Sequence, residues 1–561
     1  MAFSLRRQLR RVVSDPSHFV LTIIIGALVG SIIVAFMAFT DWMHRLLFSD
    51  MMPVWMRPLT PAAAALVAGY LLLRVFPDAR GSGIPQTKAA LIAGGGHISI
   101  RTALGKFFCC SLSLGGGVAL GREGPSVQIG SGVASFLVRK LGMEERDVQA
   151  LVPVGAAAAL AAAFNTPMAA VLFTLEELLG DMNARAIGSV VMGAATSWMV
   201  LHLFLGDAPL FRVPSYTLAH PTEFLFYALL GVVGGLVSVA FSSSILWLRL
   251  KYQKLPTWTL ALQPASGGLA AGILALYSAE VLGAGYAAVE LALHGELSTT
   301  TMFLLLILKL LATVVCYSSG NAGGIFGPSL FLGAMLGGGF GSLLHTWLPA
   351  TTGPAGAYAL VGMGTTFAGV IRSPITSVVM IFELTRDYNI IVPLMISNLV
   401  AYAVARRLYH QPIYEALAAQ DGVHLPLARG QRPEPDLFVS DAMRPATLLN
   451  PTTSVAQARL RVPLGDCLIG SDERLEGILP ALVLDEALAR DVGTPLGSLV
   501  RHDSFDTLPH VHSDQLADIV LHRLGQFNLS VLPVVDRRDL TKVLGEVTLE
   551  SLLEAYRKAG A

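Results

Sequence analysis

A single carboxylate, Glu123, interrupts a part of the chain that is otherwise small and apolar. The stretch reads LGGGVALGREGPSVQIG, and between residues 114 and 130 only Arg122 and Glu123 carry charge. Burying a carboxylate away from water costs free energy, so an acid in apolar surroundings indicates a function in handling charge. The structural alternative is a salt bridge with Arg122, but adjacent positions on a helix do not face each other.

Three Gly/Pro-broken motifs and one late tyrosine provide groups that could bind an anion. The motifs are GSGIP at residues 81–85, GREGP at 121–125 and GGIFGP at 323–328, and the tyrosine is Tyr414 in QPIYEAL. Such breaks start or end helices, and the N–H groups left without intrahelical partners attract anions. Ser82 and Tyr414 add hydroxyl donors. Because these donors carry no full charge, they suit a small anion that must bind and then leave the site quickly. The alternative is that the glycines serve only close helix packing.

The composition predicts that membrane-spanning helices position these motifs. Of the 561 residues, 53% are hydrophobic and 14% are charged, whereas soluble chains have about a quarter of their residues charged. Windows without Asp, Glu, Lys or Arg lie at residues 19–40, 148–175, 186–206, 224–248, 255–279 and 310–371. Because a span needs about 20 apolar residues, the sequence predicts an all-α polytopic membrane protein. The net charge of zero gives no electrostatic case for nucleic-acid binding.

The membrane region contains an internal repeat. GAAAALAAAFNTPMAAVLFTLEEL from residue 155 corresponds to GMGTTFAGVIRSPITSVVMIFELT from residue 362, and GREGPS corresponds to GIFGPS. The intervals between matched prolines are nearly equal, at 207 residues (374 − 167) and 203 residues (328 − 125). Glu176 is thereby matched with Glu383, which indicates a shared structural role such as satisfying helix ends. Broken segments at corresponding positions of two halves are typical of transporters.

Six segments follow from these patterns. We expect a cytoplasmic N-terminal helix at 1–17, a first membrane repeat at 18–206 and a connector at 207–221. A second repeat with a final helix follows at 222–415, then a linker at 416–435 and a soluble α/β tail at 436–561. Arg6, Arg7, Arg10 and Arg11 favour a cytoplasmic N-terminus by the positive-inside rule, with the tail on the same side.

The three motifs and the late tyrosine, in this order, resemble the signature of the CLC family of chloride channels and proton-coupled chloride exchangers. The resemblance covers nearly the whole membrane region. It implies a homodimer in the lipid bilayer, in which each subunit has its own anion pathway between two inverted repeats of broken helices. It also implies that a central chloride is bound by the hydroxyls of Ser82 and Tyr414 and by the backbone amides of Gly324, Ile325 and Phe326.

The same resemblance assigns Glu123 as the gating glutamate. A carboxylate at a helix N-terminus can itself occupy an anion site, and once protonated it is neutral and admits an anion. One group would thus couple anion binding to proton binding. In the repeat Glu123 corresponds to Phe326, so only one half carries this acid.

A second acid, Glu177, separates two functional readings. It corresponds to Leu384 in the repeat and is therefore unmatched. Exchangers of the family resemble this sequence in having a glutamate here that accepts protons from the cytoplasm, whereas channels have an apolar residue. We therefore expect an H⁺/Cl⁻ antiporter with Glu177 as the internal proton acceptor. The alternatives are a passive chloride channel on the same scaffold, and an interfacial acid at the end of a span.

The tail resembles the paired CBS domains that many family members carry. Its second module reads GEVTLES, with Ser551 at the position where an acid would hold a nucleotide ribose. We therefore expect no cofactor, and adenine-nucleotide binding by the tail is left open without being favoured. We expect no enzyme, because a membrane-embedded hydrolase would call for an HExxH or GxSxG motif, and neither occurs. The expected location is a bacterial inner membrane, with chloride and protons as substrates.

Overall fold

The structure, a computed structural model, describes residues 16–48, 53, 56, 58–93, 95–180, 184–207, 210–423, 437–463, 465–472, 474–500, 508–527 and 529–559, without 212, 215, 217 and 516. The chain divides into two compact units, Met1–Gln431 and Arg432–Ala561. The predicted N-terminal helix at 1–17 lies outside the described residues except for its last two positions. Most of the predicted linker also lies outside them.

Eight helices form the first half of the membrane unit. They are α1 (Pro16–Leu47), α2 (Leu59–Arg74), α3 (Ile84–Ala93), α4 (Ile100–Gly115), α5 (Glu123–Lys140), α6 (Glu145–Phe164), α7 (Pro167–Phe173) and α8 (Ala184–Leu205). A 3₁₀ turn, Pro77–Ala79, precedes α3, and a wider π-helical turn, Thr174–Leu179, continues α7. Proline at the first position of α7 suits a helix start, because its missing N–H would have no partner there.

The second half repeats this order of elements. It contains α9 (Glu223–Gln253), α10 (Gln263–Leu274), α11 (Tyr286–Leu293), α12 (Thr299–Ser318), α13 (Phe326–Trp347), α14 (Ala355–Ile371), α15 (Pro374–Thr385) and α16 (Ile391–Leu408), followed by α17 (Ile413–Gln420). A 3₁₀ turn, Ala279–Val281, precedes α11 just as one precedes α3. Two further 3₁₀ turns are Thr257–Ala261 and Tyr388–Ile390.

Contacts between α7 and α15 show that the two halves are inverted. The carboxylate of Glu383, near the end of α15, accepts N–H bonds from Met168 and Ala169 at the start of α7, at 2.9 and 2.7 Å. In return Glu176, just beyond α7, accepts from the N–H of Thr376 at the start of α15, at 2.9 Å. Each helix end caps the start of its counterpart, so the two helices run antiparallel. The predicted helix-end role of this glutamate pair is confirmed.

Glycines allow the closest helix crossing within each half. A Cβ on Gly155 of α6 would lie 2.4 Å from the carbonyl oxygen of Gly130 on α5. In the second half a Cβ on Gly333 of α13 would lie 2.1 Å from the carbonyl oxygen of Gly362 on α14. Real Cβ atoms do not approach so closely, so these pairs keep α5 and α13 against their neighbours and thereby fix where both helices begin.

The second unit is a small α/β domain. Its elements are α18 (Val439–Ala442), β1 (Leu448–Leu449), α19 (Val455–Arg461), β2 (Cys467–Ser471), β3 (Arg474–Leu479), α20 (Ala481–Arg490), the 3₁₀ turn Leu496–Ser498, α21 (Asp518–Phe527), β4 (Val531–Val535), β5 (Val543–Thr548) and α22 (Leu549–Ala559). β1 pairs parallel with β2, and β2–β3 and β4–β5 are antiparallel. Asp466 joins the two halves by accepting N–H bonds from Ala481 at 2.7 Å and Ser530 at 2.5 Å.

The predicted fold class is confirmed. Seven helices among the described residues are long and apolar enough to cross a membrane. The other helices described in the membrane unit are shorter or less apolar, and α3 and α5 begin at Gly/Pro breaks as the sequence indicated. The remaining unit is the small α/β tail.

Candidate anion pathway

The starts of α5 and α13 meet at the centre of the membrane unit. Gly121 and Gly324, which are counterparts in the repeat, exchange two backbone hydrogen bonds of 2.8 and 2.7 Å. The approximate two-fold relation between the halves therefore passes between these residues. Two helix N-termini, one from each half, thus lie next to each other in a buried region where unpartnered N–H groups favour negative charge.

Two hydroxyl groups face this region without a protein partner. Ser82, just before α3, and Tyr414, on α17, are both fully buried. Among the described residues, neither the Ser82 Oγ nor the Tyr414 hydroxyl oxygen has a hydrogen-bond partner. A Cβ on Gly124, at the start of α5, would lie 2.7 Å from the Ser82 Oγ, which places this hydroxyl against the helix start. Orphaned buried donors are costly, so these two fit an absent ligand that accepts hydrogen bonds.

The third predicted group of ligands is the backbone at residues 324–326. The amide of Gly324 already donates to the Gly121 carbonyl, so it is engaged in the bridge between the halves. Helix α13 begins at Phe326, with Ile325 as the preceding residue. The Phe326 ring packs against Phe164 and Phe367, with centroid distances of 4.7 and 4.4 Å. This packing fixes the orientation of the peptide groups at the helix start.

Glu123 lies at the start of α5, in the first half. It is fully buried as the first residue of α5. Its Oε2 accepts a hydrogen bond from the N–H of Gly327 in α13 at 3.2 Å. Its Oε1 accepts a hydrogen bond from the hydroxyl of Tyr286, the first residue of α11. The carboxylate therefore occupies a position where backbone and hydroxyl donors bind a negative charge.

Arg122 does not form the alternative salt bridge with Glu123. Its guanidinium lies over the Tyr286 ring, 5.5 Å from the centroid. Both side chains line a cavity of about 610 Å³, together with Asp41 and His44 from the last turns of α1 and Glu280. Because Tyr286 both lines this cavity and donates to the Glu123 carboxylate, the cavity lies beside the Glu123 position. Its wall carries the Arg122 guanidinium together with the carboxylates of Asp41 and Glu280.

Glu177 belongs to a buried ion network. It is 1% exposed, and its Oε1 lies 3.0 Å from the Nζ of Lys88 on α3. The same ammonium donates to the Oε1 of Glu415, which directly follows Tyr414 on α17. The Glu415 Oε2 is buried and has no hydrogen-bond partner among the described residues. Two carboxylates thus share one cation, so the three groups carry one net negative charge when all are ionised.

Sequence reasoning missed three residues that the structure brings to the predicted ones. Tyr286 contacts Glu123, Lys88 contacts Glu177, and Glu415 shares the Lys88 ammonium with Glu177, yet none belongs to the three Gly/Pro motifs. Lys88 and Glu415 are 327 positions apart, so no local spacing connects them. The repeat was a usable signal for Tyr286. This residue starts α11 just as Ile84 starts α3, directly after the segment that carries Ser82. A second signal was the position of Glu415 beside Tyr414.

Comparison with known proteins agrees with this architecture. Residues 64–406 match the family described as voltage gated chloride channel. The H(+)/Cl(-) exchange transporters ClcA of Salmonella paratyphi B and Salmonella newport are each 33% identical over 434 residues. In both cases the alignment covers 74% of this chain and 91% of the relative.

Solved structures share the membrane fold. A slow cyanobacterial Cl-/H+ antiporter aligns with a TM-score of 0.68 and 26% identity, over 74% of this chain and 100% of its own. A eukaryotic CLC transporter aligns with a TM-score of 0.63 and 21% identity, over 95% of this chain and 97% of its own. At that identity the second likeness concerns the fold alone. On the family match and the ClcA alignments together, the chain belongs to the voltage gated chloride channel family.

Proposed function

We propose that this protein is a secondary active transporter that exchanges chloride for protons across the membrane. The observation that carries the proposal is the pair of buried, unpartnered hydroxyls of Ser82 and Tyr414 beside a buried carboxylate, Glu123, at a helix N-terminus. Two hydroxyl donors can bind an anion. A carboxylate in an anion-binding position can be protonated, and protonation removes the charge that holds it there. The names of the ClcA relatives and of the cyanobacterial neighbour, all exchangers, agree with this function.

The anion path runs past the two helix starts. Ser82 and Tyr414 donate hydroxyl hydrogens to a central chloride, and the amides of Ile325 and Phe326 at the start of α13 supply the remaining donors. Glu123 closes the path while it is ionised, because its carboxylate occupies the next anion position. Protonation removes its charge. The neutral side chain then moves away from the helix start, and the anion takes its place there.

The proton path uses Glu177. It is the unmatched acid of the repeat and lies buried at the end of α7, held by Lys88. Lys88 also binds Glu415, which directly follows Tyr414 on α17, so the inner end of the proton path lies beside the anion site. A proton accepted at Glu177 is passed to Glu123 and leaves when the gate opens.

Assembly and location follow from the family. We propose a homodimer in a bacterial inner membrane, with the N-terminus and the α/β tail in the cytoplasm, and with Glu177 accepting protons from that side. The basic residues Arg6, Arg7 and Arg10 support this orientation. No cofactor is needed for the exchange, and binding of adenine nucleotide to the tail is not part of the proposal.

The test is proton movement in proteoliposomes under an imposed chloride gradient. We expect the wild type to move protons against their gradient while chloride flows down its own. Glu177→Gln removes the proton-accepting charge, so chloride should still move while the uphill proton flow is lost. Glu176→Gln is the matched control, since it makes the same change at the neighbouring acid, whose carboxylate caps α15.

Two outcomes would contradict the proposal. Chloride flux in the wild type without any proton movement would make the protein a passive channel on the same scaffold. Uphill proton flow that persists in Glu177→Gln would keep the exchanger but remove Glu177 from the proton path. Equal loss in both glutamine variants would indicate a general defect in the packing of α7 and α15.

A further inference from the structure

The segment that carries Ser82 has a structural counterpart in the second half. A 3₁₀ turn and two left-handed glycines precede each helix: Gly81 and Gly83 before α3, and Gly283 and Gly285 before α11. Each segment is also held by a buried lysine of the next helix but one, α4 in the first half and α12 in the second. Lys106 donates to the Gly81 carbonyl at 2.7 Å, and Lys309 donates to the Gly283 carbonyl at 2.6 Å.

Each counterpart segment places one hydroxyl against a helix start. In the first half the Ser82 Oγ lies against Gly124 of α5, 2.7 Å from where its Cβ would be. In the second half the Tyr286 hydroxyl lies against Gly327 of α13, 3.3 Å from where its Cβ would be. Gly124 and Gly327 are repeat partners, separated by the same 203 residues (327 − 124) as the prolines that follow them. The two hydroxyls therefore lie at related places on the two halves.

The two hydroxyls differ in what they bind. Ser82 has no hydrogen-bond partner among the described residues, whereas Tyr286 donates to the Glu123 carboxylate. The Tyr286 ring is held in place by an edge contact with Phe211, at a centroid distance of 5.6 Å, and by the Arg122 guanidinium. A ring held in place on both sides keeps its hydroxyl in one orientation, which suits a donor that must stay in position while its acceptor changes.

We propose that Tyr286 supplies the second half with a hydroxyl donor as Ser82 does in the first, and that it holds the Glu123 carboxylate in the closed gate and binds the anion that replaces it. The two hydroxyls come from different positions of the matched segments, because at the 202-residue interval of the glycines (283 − 81) Ser82 aligns with Ala284 and Ile84 with Tyr286. Tyr286 is thus a positioning residue for the gate and a ligand of the second anion position. The inference rests on the proposed function in that it takes Glu123 to be the gate. It requires only chloride movement, so it can be tested whether or not protons are coupled.

The test is Tyr286→Phe, which removes the hydroxyl and keeps the ring. A hydrogen bond to a charged group contributes about 1.5–3 kcal/mol, which corresponds to a change of roughly ten-fold or more in the equilibrium between bound and released carboxylate. We expect chloride turnover near neutral pH to rise toward the value in acid, so that the turnover ratio between about pH 5 and pH 7.5 falls by up to this factor. Tyr216→Phe is the matched control, because its hydroxyl donates to the Leu293 carbonyl.

A second background separates the two parts of the proposal. In Glu123→Gln there is no gate charge to hold, so adding Tyr286→Phe should weaken chloride binding, measured by calorimetry, without changing the pH profile of turnover. Should Tyr286→Phe not fold, Gly327→Ala replaces it, since its Cβ would lie 3.1 Å from the Glu123 Oε1 and 3.3 Å from the Tyr286 hydroxyl, so that the hydrogen bond between them must shift by a few tenths of an ångström. An unchanged pH profile in the single variants, or unchanged chloride affinity in the Glu123→Gln background, would overturn the corresponding part.

Discussion

Lys88 should stabilise the membrane unit because it balances two buried carboxylates. Its ammonium lies 3.0 Å from the Glu177 Oε1 and also binds the Glu415 Oε1, and the three side chains are between 2% and 4% exposed. Lys88→Met leaves two buried carboxylates without a cation. At 3 Å and an effective dielectric constant of about 20, each lost attraction corresponds to about 5 kcal/mol before desolvation is considered.

The measured loss should be smaller than this sum. Removing one partner of a buried ion pair costs about 3–5 kcal/mol, because the remaining charge is left uncompensated. Loss of this size is a large part of a typical unfolding free energy of about 5–15 kcal/mol. Glu415→Gln should cost less than Lys88→Met, since it leaves one balanced pair of Lys88 with Glu177. Replacing all three charged groups by neutral ones should recover much of the loss.

The assay is thermal unfolding of the purified protein in detergent, followed by tryptophan fluorescence at neutral pH. Lys106→Met is the control, because this fully buried lysine donates to the Gly81 carbonyl and is not paired with a carboxylate in the structure. We expect the order of stability to be wild type, Glu415→Gln, Lys88→Met, with the triple variant above Lys88→Met. A Lys88→Met protein as stable as the wild type would refute the charge-balance reasoning. A triple variant less stable than Lys88→Met would refute it as well.

Two further predictions concern the helix ends and the tail. Glu383→Gln removes the charge from two N–H bonds at the start of α7, so we expect a loss of about 1.5–3 kcal/mol in unfolding free energy and a similar loss for Glu176→Gln; strongly unequal values would contradict the reciprocal capping. Asp466→Asn weakens the bond from Ala481 within the first half of the tail and the bond from Ser530 that connects it to the second half, so the full-length protein should be cut faster within the tail by a protease while its chloride transport is kept.

The sequence was sufficient for features that depend on local pattern. Charge-free windows predict most of the spans because length and hydrophobicity largely decide whether a helix can cross a membrane. The window at 255–279 was wrong as a span, since α10, the α-helix within it, has only 12 residues, and the span at Tyr388–Gln420 lies outside all the windows. Matched Gly, Pro and Glu positions reveal the repeat, and Glu123 and Glu177 are conspicuous because their counterparts, Phe326 and Leu384, are apolar. Even the helix-end role of Glu176 follows from its match with Glu383, since the same residue at the same place in both halves indicates a shared structural task.

The tertiary structure decided what depends on residues far apart in the chain. The reciprocal caps established that the halves are inverted, which no spacing reveals, because a repeat has the same sequence pattern in either orientation. The amide of Gly324 turned out to be engaged in the bridge with Gly121. Tyr286 meets Glu123 across 163 positions, and Lys88 meets Glu415 across 327. Periodicity predicts which face of a helix is buried, but only packing determines which buried charges and hydroxyls become neighbours.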